Sequence, residues 1–145
     1  MTGVRLRDFR LEDYERVLEL WEEAGLPFRP LGRDAKEKVA REIERDSAVF
    51  VVAEAEGRLV GVVFGTHDGR KGWINRLAVA PAFQRGGVAA MLVTEVEGRL
   101  ADMGIDVFGA LVEGENTRSM RFFEGLGYLS HDEVRYFHKT KCLDS

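Results

Sequence analysis

The chain has 145 residues, a net charge of −4, 45% apolar residues and 32% charged residues. That length suits one compact domain with one core, taken here as residues 1–145, and the balance of apolar to charged residues is that of a soluble globular protein. No apolar run is long enough for a membrane span, the opening MTGVRLRDFR lacks the apolar stretch of a signal peptide, and scattered basic residues argue against a nucleic-acid partner. The single cysteine, Cys142, has no internal disulfide partner and reads as an incidental thiol in a reducing, cytoplasmic setting.

In chain order, Val4 and Leu6 alternate with Arg5 and Arg7, the period of a half-buried strand over 4–9. From Leu11 to Ala24 the period becomes helical, with Tyr14, Val17, Leu18, Trp21 and Ala24 on one face and Gly25 as the stop. LPFRPLGRD, residues 26–34, stays irregular because of its prolines and glycine. A second helix is predicted from Asp34, as N-cap, to about Arg45. AVFVVAE (48–54) and LVGVVFG (59–65) read as a hairpin turning at Glu56-Gly57. A turn over 67–72 leads to a third antiparallel strand, 73–81, which Pro81 ends. Helical spacing returns from Val88 to Met103 and closes at Gly104. DVFGALV (106–112) is a β-type run, 116–127 a short helix capped by Asn116 or Thr117, and VRYFHKT (134–140) a final strand. The order β-α-α-β-β-β-α-β-α-β predicts an α/β fold with a mixed sheet and helices on both faces.

FQRGGVAAML, residues 83–92, places Gly86 and Gly87 just ahead of a helix. A helix N-terminus presents unpaired amides and partial positive charge to an anion. Consecutive amides in a tight turn cradle phosphate oxygens, and glycine permits close approach. Arg85 adds a charged contact at the rim. A plain strand-to-helix connection is the other reading. The nucleotide loops G-x-x-x-x-G-K-[ST] and G-x-G-x-x-G are absent, so an ATP or dinucleotide site loses its main support.

The pattern Gln84-x-x-Gly87-x-Ala89, following a strand and opening a helix, resembles that of the GCN5-related N-acetyltransferases, the GNAT superfamily. A second block, ENTRSMRFFEGLGY (115–128), is similar to the family's Asn-x-x-Ala/Ser block at Asn116, Ser119, Phe122, Gly127 and Tyr128. The resemblance spans nearly the whole chain and implies a minimal single-domain member. It implies a mostly antiparallel sheet in which two central strands, about 73–79 and 107–112, run parallel and splay apart. Acetyl-coenzyme A is the implied cosubstrate, with no metal. Its pyrophosphate would rest on Gln84, Arg85, Gly86, Gly87, Val88 and Ala89, with Asn116, Ser119, Phe122 and Phe123 as further residues that contact the cofactor. Its pantetheine arm would follow the edge of Leu77, Ala78 and Val79. A neutral primary amine would attack the thioester directly through a tetrahedral intermediate, with the Leu77 backbone N–H stabilising the oxyanion.

The chain departs from the family in two places. Where relatives carry a tyrosine that protonates the leaving sulfur stands Phe123. A thiol titrates near about 8.5, so a thiolate leaves tolerably without an acid. Tyr128 and Tyr136 are the substitutes, with a core aromatic as the other reading of Tyr128. The stretches where relatives place a glutamate read Trp73-Ile74-Asn75-Arg76 and Gly109-Ala110-Leu111-Val112, with no carboxylate. Asn75 with Glu113 is the candidate water-and-base relay, and Glu115, His67, Asp68 and His131 are further candidates; each also reads as a surface residue. His67, His131 and His138 have no metal-ligand spacing.

For the amine acceptor, Phe28, Arg29 and Arg33 in the 26–34 stretch would grip a carboxylate-bearing small molecule, amino acid or peptide N-terminus, or are ordinary surface residues. The rival reading is a catalytically weak module that binds acetyl-coenzyme A as a sensor. Alternate apolar positions in 134–140 suit either a closing strand or a homodimer contact, as in relatives that pair through late strands.

Overall fold

A computed structural model describes residues 3–143 and 145. Five strands form one sheet in the order β1-β2-β3-β4-β5. They are β1 (Val4–Asp8), β2 (Ala48–Ala55), β3 (Arg58–His67), β4 (Gly72–Val79) and β5 (Phe108–Gly109). The first four pair antiparallel with their neighbours, while β4 and β5 run parallel. The β2–β3 hairpin turns at Glu56 (φ 55°) and Gly57 (φ 77°), the left-handed pair that matches the twist of its strands.

Helices α1 (Tyr14–Glu23) and α2 (Lys36–Glu42) cover one face, α3 (Val88–Asp102) the other, and α4 (Thr117–Gly125) leans on α3. Val17, Leu20 and Trp21 of α1 are fully buried. Trp21 meets the ring of Phe64 edge-on at 5.4 Å, and Phe64 stacks on Phe50 at 3.8 Å. On the opposite face Leu92, Val93, Val96 and Leu100 of α3 are buried, with Leu92, Val96 and Leu100 against glycines of the sheet. α3 lies so close that a Cβ at Gly65 would overlap Val96 and stand 3.1 Å from the Val49 carbonyl.

Three expectations are corrected. The second helix begins after Ala35, and no side chain caps it. Asp34 does not serve as its N-cap, because its carboxylate accepts from the Arg29 amide at 2.7 Å and from Arg76 at 3.3 Å. The strand expected over 106–112 is reduced to Phe108–Gly109. The strand expected over 134–140 does not form: Val134, Tyr136 and Phe137 lie exposed in irregular chain. A two-residue β5 has too few backbone groups to template a further strand beyond it.

Gly65→Ala should lower unfolding free energy by about 1–3 kcal/mol, read from urea denaturation, because both Val96 and the β2 backbone would have to give way. A loss below about 0.5 kcal/mol would mean that α3 adjusts freely.

Candidate active site

Strand β4 changes its neighbours partway along. Its pairing with β5 consists of Gly72 with Phe108 and Trp73 with Gly109. Beyond Trp73 no β5 residue faces it, so the two strands part and the β4 edge lies open from Ile74 onward. The Trp73 ring closes the bottom of this gap; a Cβ on Gly109 would stand 2.9 Å from it.

On its other edge β4 carries a bulge. Phe64 faces Asn75 and Val62 faces Ala78, so Arg76 and Leu77 together oppose Val63. Arg76 takes up the extra length with φ of 57°, left-handed and costly for a side-chain-bearing residue. Neither Arg76 nor Leu77 has a partner residue in either ladder.

The Arg76 side chain holds that conformation in place. Its guanidinium lies 4.2 Å over the Trp21 ring. It donates to the Pro27 carbonyl at 2.8 Å and to the Asp34 carboxylate at 3.3 Å. Its own carbonyl accepts the Trp21 indole N–H at 3.3 Å. Burial pushes the guanidinium below its ordinary range, the nearby Asp34 acting against this. Arg76 thereby ties the bulge to α1 and to the irregular 26–34 stretch. Within that stretch Phe28 packs on Trp21 at 6.0 Å between ring centres, while Arg29 and Arg33 are exposed.

At the far end of β4, Pro81–Phe83 make a single 3-10 turn, and α3 then starts at Val88. Gln84 donates its side-chain amide to the Val79 carbonyl at 3.0 Å, which pins the turn to the strand end. Arg85 (φ 67°) and Gly87 (φ 85°) both take left-handed backbone. No side chain caps α3. The first amide there to meet a carbonyl is that of Met91, on Gly87 at 3.0 Å. A Cβ built on Gly87 would meet no atom within 4 Å. The helix start is therefore an open, donor-rich concavity of the kind that holds phosphate oxygens. Val88 is buried and Ala89 partly buried, so their part in it is played by backbone.

The second sequence block forms α4. Asn116 caps it, its side-chain oxygen accepting the Ser119 amide at 3.1 Å. Phe122, Phe123 and Tyr128 pack edge to face in succession, with ring centres 5.0 and 5.1 Å apart. The Tyr128 hydroxyl donates to Glu97 of α3 at 2.6 Å. Burial first, then that bond, push its pKa above the ordinary phenol range. Its proton is committed to Glu97, and the residue braces α4 on α3.

The carboxylate and imidazole candidates are dispersed. Asn75 donates to the Thr66 hydroxyl at 3.3 Å. Glu113 and Glu115 are exposed in the turn before α4. His67 accepts the Gly69 amide, and Asp68 accepts those of Arg70 and Lys71, so both shape the β3–β4 turn. His131 pairs with Glu133 at the surface, and Tyr136 stacks on His138 in the exposed tail.

The sequence model of the acetyltransferase (GNAT) family matches residues 10–128. The chain belongs to the GNAT family. It is an N-acetyltransferase whose cosubstrate is acetyl-coenzyme A. A curated relative, acetyltransferase SG1711 of Sodalis glossinidius, is 33% identical over 141 residues, which cover 97% of this chain and 98% of that one. Among solved structures, the aminoglycoside acetyltransferase AAC(6′)-Iy, in complex with a bisubstrate analogue, superposes with a TM-score of 0.79 at 20% identity, covering 96% and 99% of the two chains. The PaiA N-acetyltransferase of Thermoplasma acidophilum, in complex with coenzyme A, superposes with a TM-score of 0.79 at 22% identity, covering 90% and 92%. These two likenesses establish the GNAT fold. Among the described residues no helix is long and apolar enough to cross a membrane.

What sequence reasoning missed in this GNAT site is Arg76 as a fixing point and Asp34 as its partner. The only signal was an arginine, next to Asn75, inside a mostly apolar strand run.

Two outcomes follow from the geometry. Arg76→Ala should cost about 3 kcal/mol in urea unfolding, since it leaves the Asp34 carboxylate buried without its cation; Arg5→Ala, at an exposed pair, should cost under about 1 kcal/mol. Gly87→Glu should fold yet weaken acetyl-coenzyme A binding more than about 10-fold by calorimetry, one lost factor of ten being about 1.4 kcal/mol. Gly87→Asn, which tolerates left-handed backbone, should weaken it far less.

Proposed function

We propose that this protein moves the acetyl group of acetyl-coenzyme A onto a primary amine by direct attack. The observation that carries this reading is the double character of β4. It is open along its β5 edge beyond Trp73, and at its far end lies the uncapped start of α3. The amides of residues 85–89 would hold the pyrophosphate. The free edge at Leu77, Ala78 and Val79 would align the pantetheine arm, and the Leu77 N–H beside the bulge would take the charge that develops on the carbonyl oxygen. Gln84 and Asn116 contribute by shaping, one bonded to Val79 and the other capping α4. Phe123 lines the sulfur side without a proton to give, and Tyr128 serves as a brace.

The leaving group departs as thiolate, which is acceptable at a thiol pKa of about 8.5. Asn75 has its amide nitrogen on Thr66, which leaves its carbonyl oxygen to orient a water that takes the amine proton towards solvent and Glu113. Catalysis on this reading is mainly positioning, and the proton balance is set by the acceptor. Aminoglycosides and the alanine of ribosomal protein S18, which structural neighbours are named for, are acceptors to test.

The test is free-thiol release from acetyl-coenzyme A over a panel of aminoglycosides, simple amines, amino acids and peptides. Turnover with at least one primary amine, accelerating with pH until the amine is deprotonated, is the expected result. Tight binding of acetyl-coenzyme A without turnover on any acceptor would give the sensor reading instead.

A further inference from the structure

Between the end of α2 and the ends of β2 and β3 lies a cavity of about 220 Å³, lined by Glu42, Arg45, Ser47, Ala48, Thr66 and His67. Glu42 follows the buried Val39 by three residues, so it projects from the same side of α2 towards the sheet. Its carboxylate is half-buried, yet among the described residues it makes no hydrogen bond and no ion pair. Arg45 is exposed at the rim and does not reach it within ion-pair distance. Partial burial without a cation weakens the hydration of this carboxylate, although its oxygens keep contact with solvent. Burial pushes Glu42 above the usual carboxylate range; Arg45 opposes the shift and Asp34 adds to it. No internal bond explains why a charge is kept there, and a cation entering the cavity would complete it.

The cavity also lies on the α1–α2 face, where the acceptor would approach. Thr66 faces Trp73, and its hydroxyl is the atom that holds Asn75. Trp73 precedes Leu77 by four residues on β4, about 13 Å of strand. Trp73 is only partly buried and its ring packs against Gly109, while Asn75, bonded to Thr66 of the cavity lining, stands between Trp73 and Leu77. Asn75 touches Thr66 at 3.3 Å and lies two residues before Leu77, so an amine attacking beside Leu77 would stand roughly 10 Å from the Thr66 side of the cavity.

We propose that this cavity is a second amine subsite, in which Glu42 binds the distal ammonium of a dicationic acceptor whose other amine is acetylated. The proposal rests on the acyl-transfer reading above and narrows its acceptors to amines with two cationic ends separated by a spacer. Glu42 takes no part in the chemical step; it decides which acceptors are held.

The experiment compares 1,8-diaminooctane, about 11 Å between nitrogens when extended, with 1-aminooctane, by free-thiol release. The wild-type protein should favour the diamine at least about 10-fold in kcat/KM, chiefly through KM, a difference of about 1.4 kcal/mol. Glu42→Gln, nearly isosteric, should bring the ratio to within about twofold of unity, with the monoamine rate and acetyl-coenzyme A KM unchanged. Glu42→Asp, which keeps the charge, should retain part of the preference. Equal loss on both substrates in Glu42→Gln, or no preference in the wild type, overturns the subsite and leaves the acyl-transfer reading standing. Calorimetric binding of 1,8-diaminooctane to the protein alone gives an independent readout. Binding that depends on Glu42 without turnover on any amine supports the subsite and removes the acyl-transfer reading. Diamine binding unaffected by Glu42→Gln overturns the subsite whether or not turnover occurs.

Discussion

Strand β4 has to satisfy two demands at once. It must complete the antiparallel sheet on its β3 side, and it must leave a free edge on its β5 side. The bulge opposite Val63 is where these demands meet. An extra residue in one strand sharpens the local twist and takes backbone out of register, which turns the second half of β4 away from β5. The cost is a left-handed arginine, of order 1–3 kcal/mol. That strain persists because Arg76 is over-determined, by the face of Trp21, by the Pro27 carbonyl, and by Asp34.

The same contacts organise the first helix and the segment after it. Trp21 is fully buried and stands between Phe64 of the sheet and the Arg76 guanidinium. Asp34 collects the Arg29 amide as well as Arg76, and its own carbonyl accepts the Tyr14 hydroxyl at 2.6 Å. The 26–34 stretch is thus irregular without being loose. It is a polar network wrapped around a buried carboxylate, and such networks fix geometry because each missing partner is expensive in a low-dielectric setting.

The two ends of the site are built from different material. On the proposed reading the cosubstrate end would consist of backbone: uncapped amides at α3 and an unpaired strand edge. Backbone recognition depends on conformation, so it leaves traces in residue types that govern conformation, here Gly87 and the residues around it. On the proposed reading the acceptor end would draw on side chains from α2, β3 and β4. Glu42, Thr66 and Asn75 come together there from separate parts of the chain, and nothing in their local sequence marks the meeting.

The amino-acid sequence by itself determined the element order up to α4, the β2–β3 hairpin, the helix start at Gly87 and a cap at Asn116 or Thr117, because period, turn chemistry and capping act over a few neighbouring residues. It over-read two segments. Residues 106–112 and 134–140 have strand-like composition, yet a strand exists only where another strand pairs with it. Residues 106–112 pair with β4 only at Phe108–Gly109, and 134–140 finds no partner strand among the described residues. Asp34 was legible as a capping residue type, but a long-range cation claimed its carboxylate. Tyr128 was legible as a phenol, but only packing put Glu97 in its reach. Tertiary structure alone decided where β4 parts from β5, which arginine fixes the bulge, and which carboxylate is left half-buried without a partner. Each of these depends on contacts between residues far apart in the chain, whose energies no local window contains.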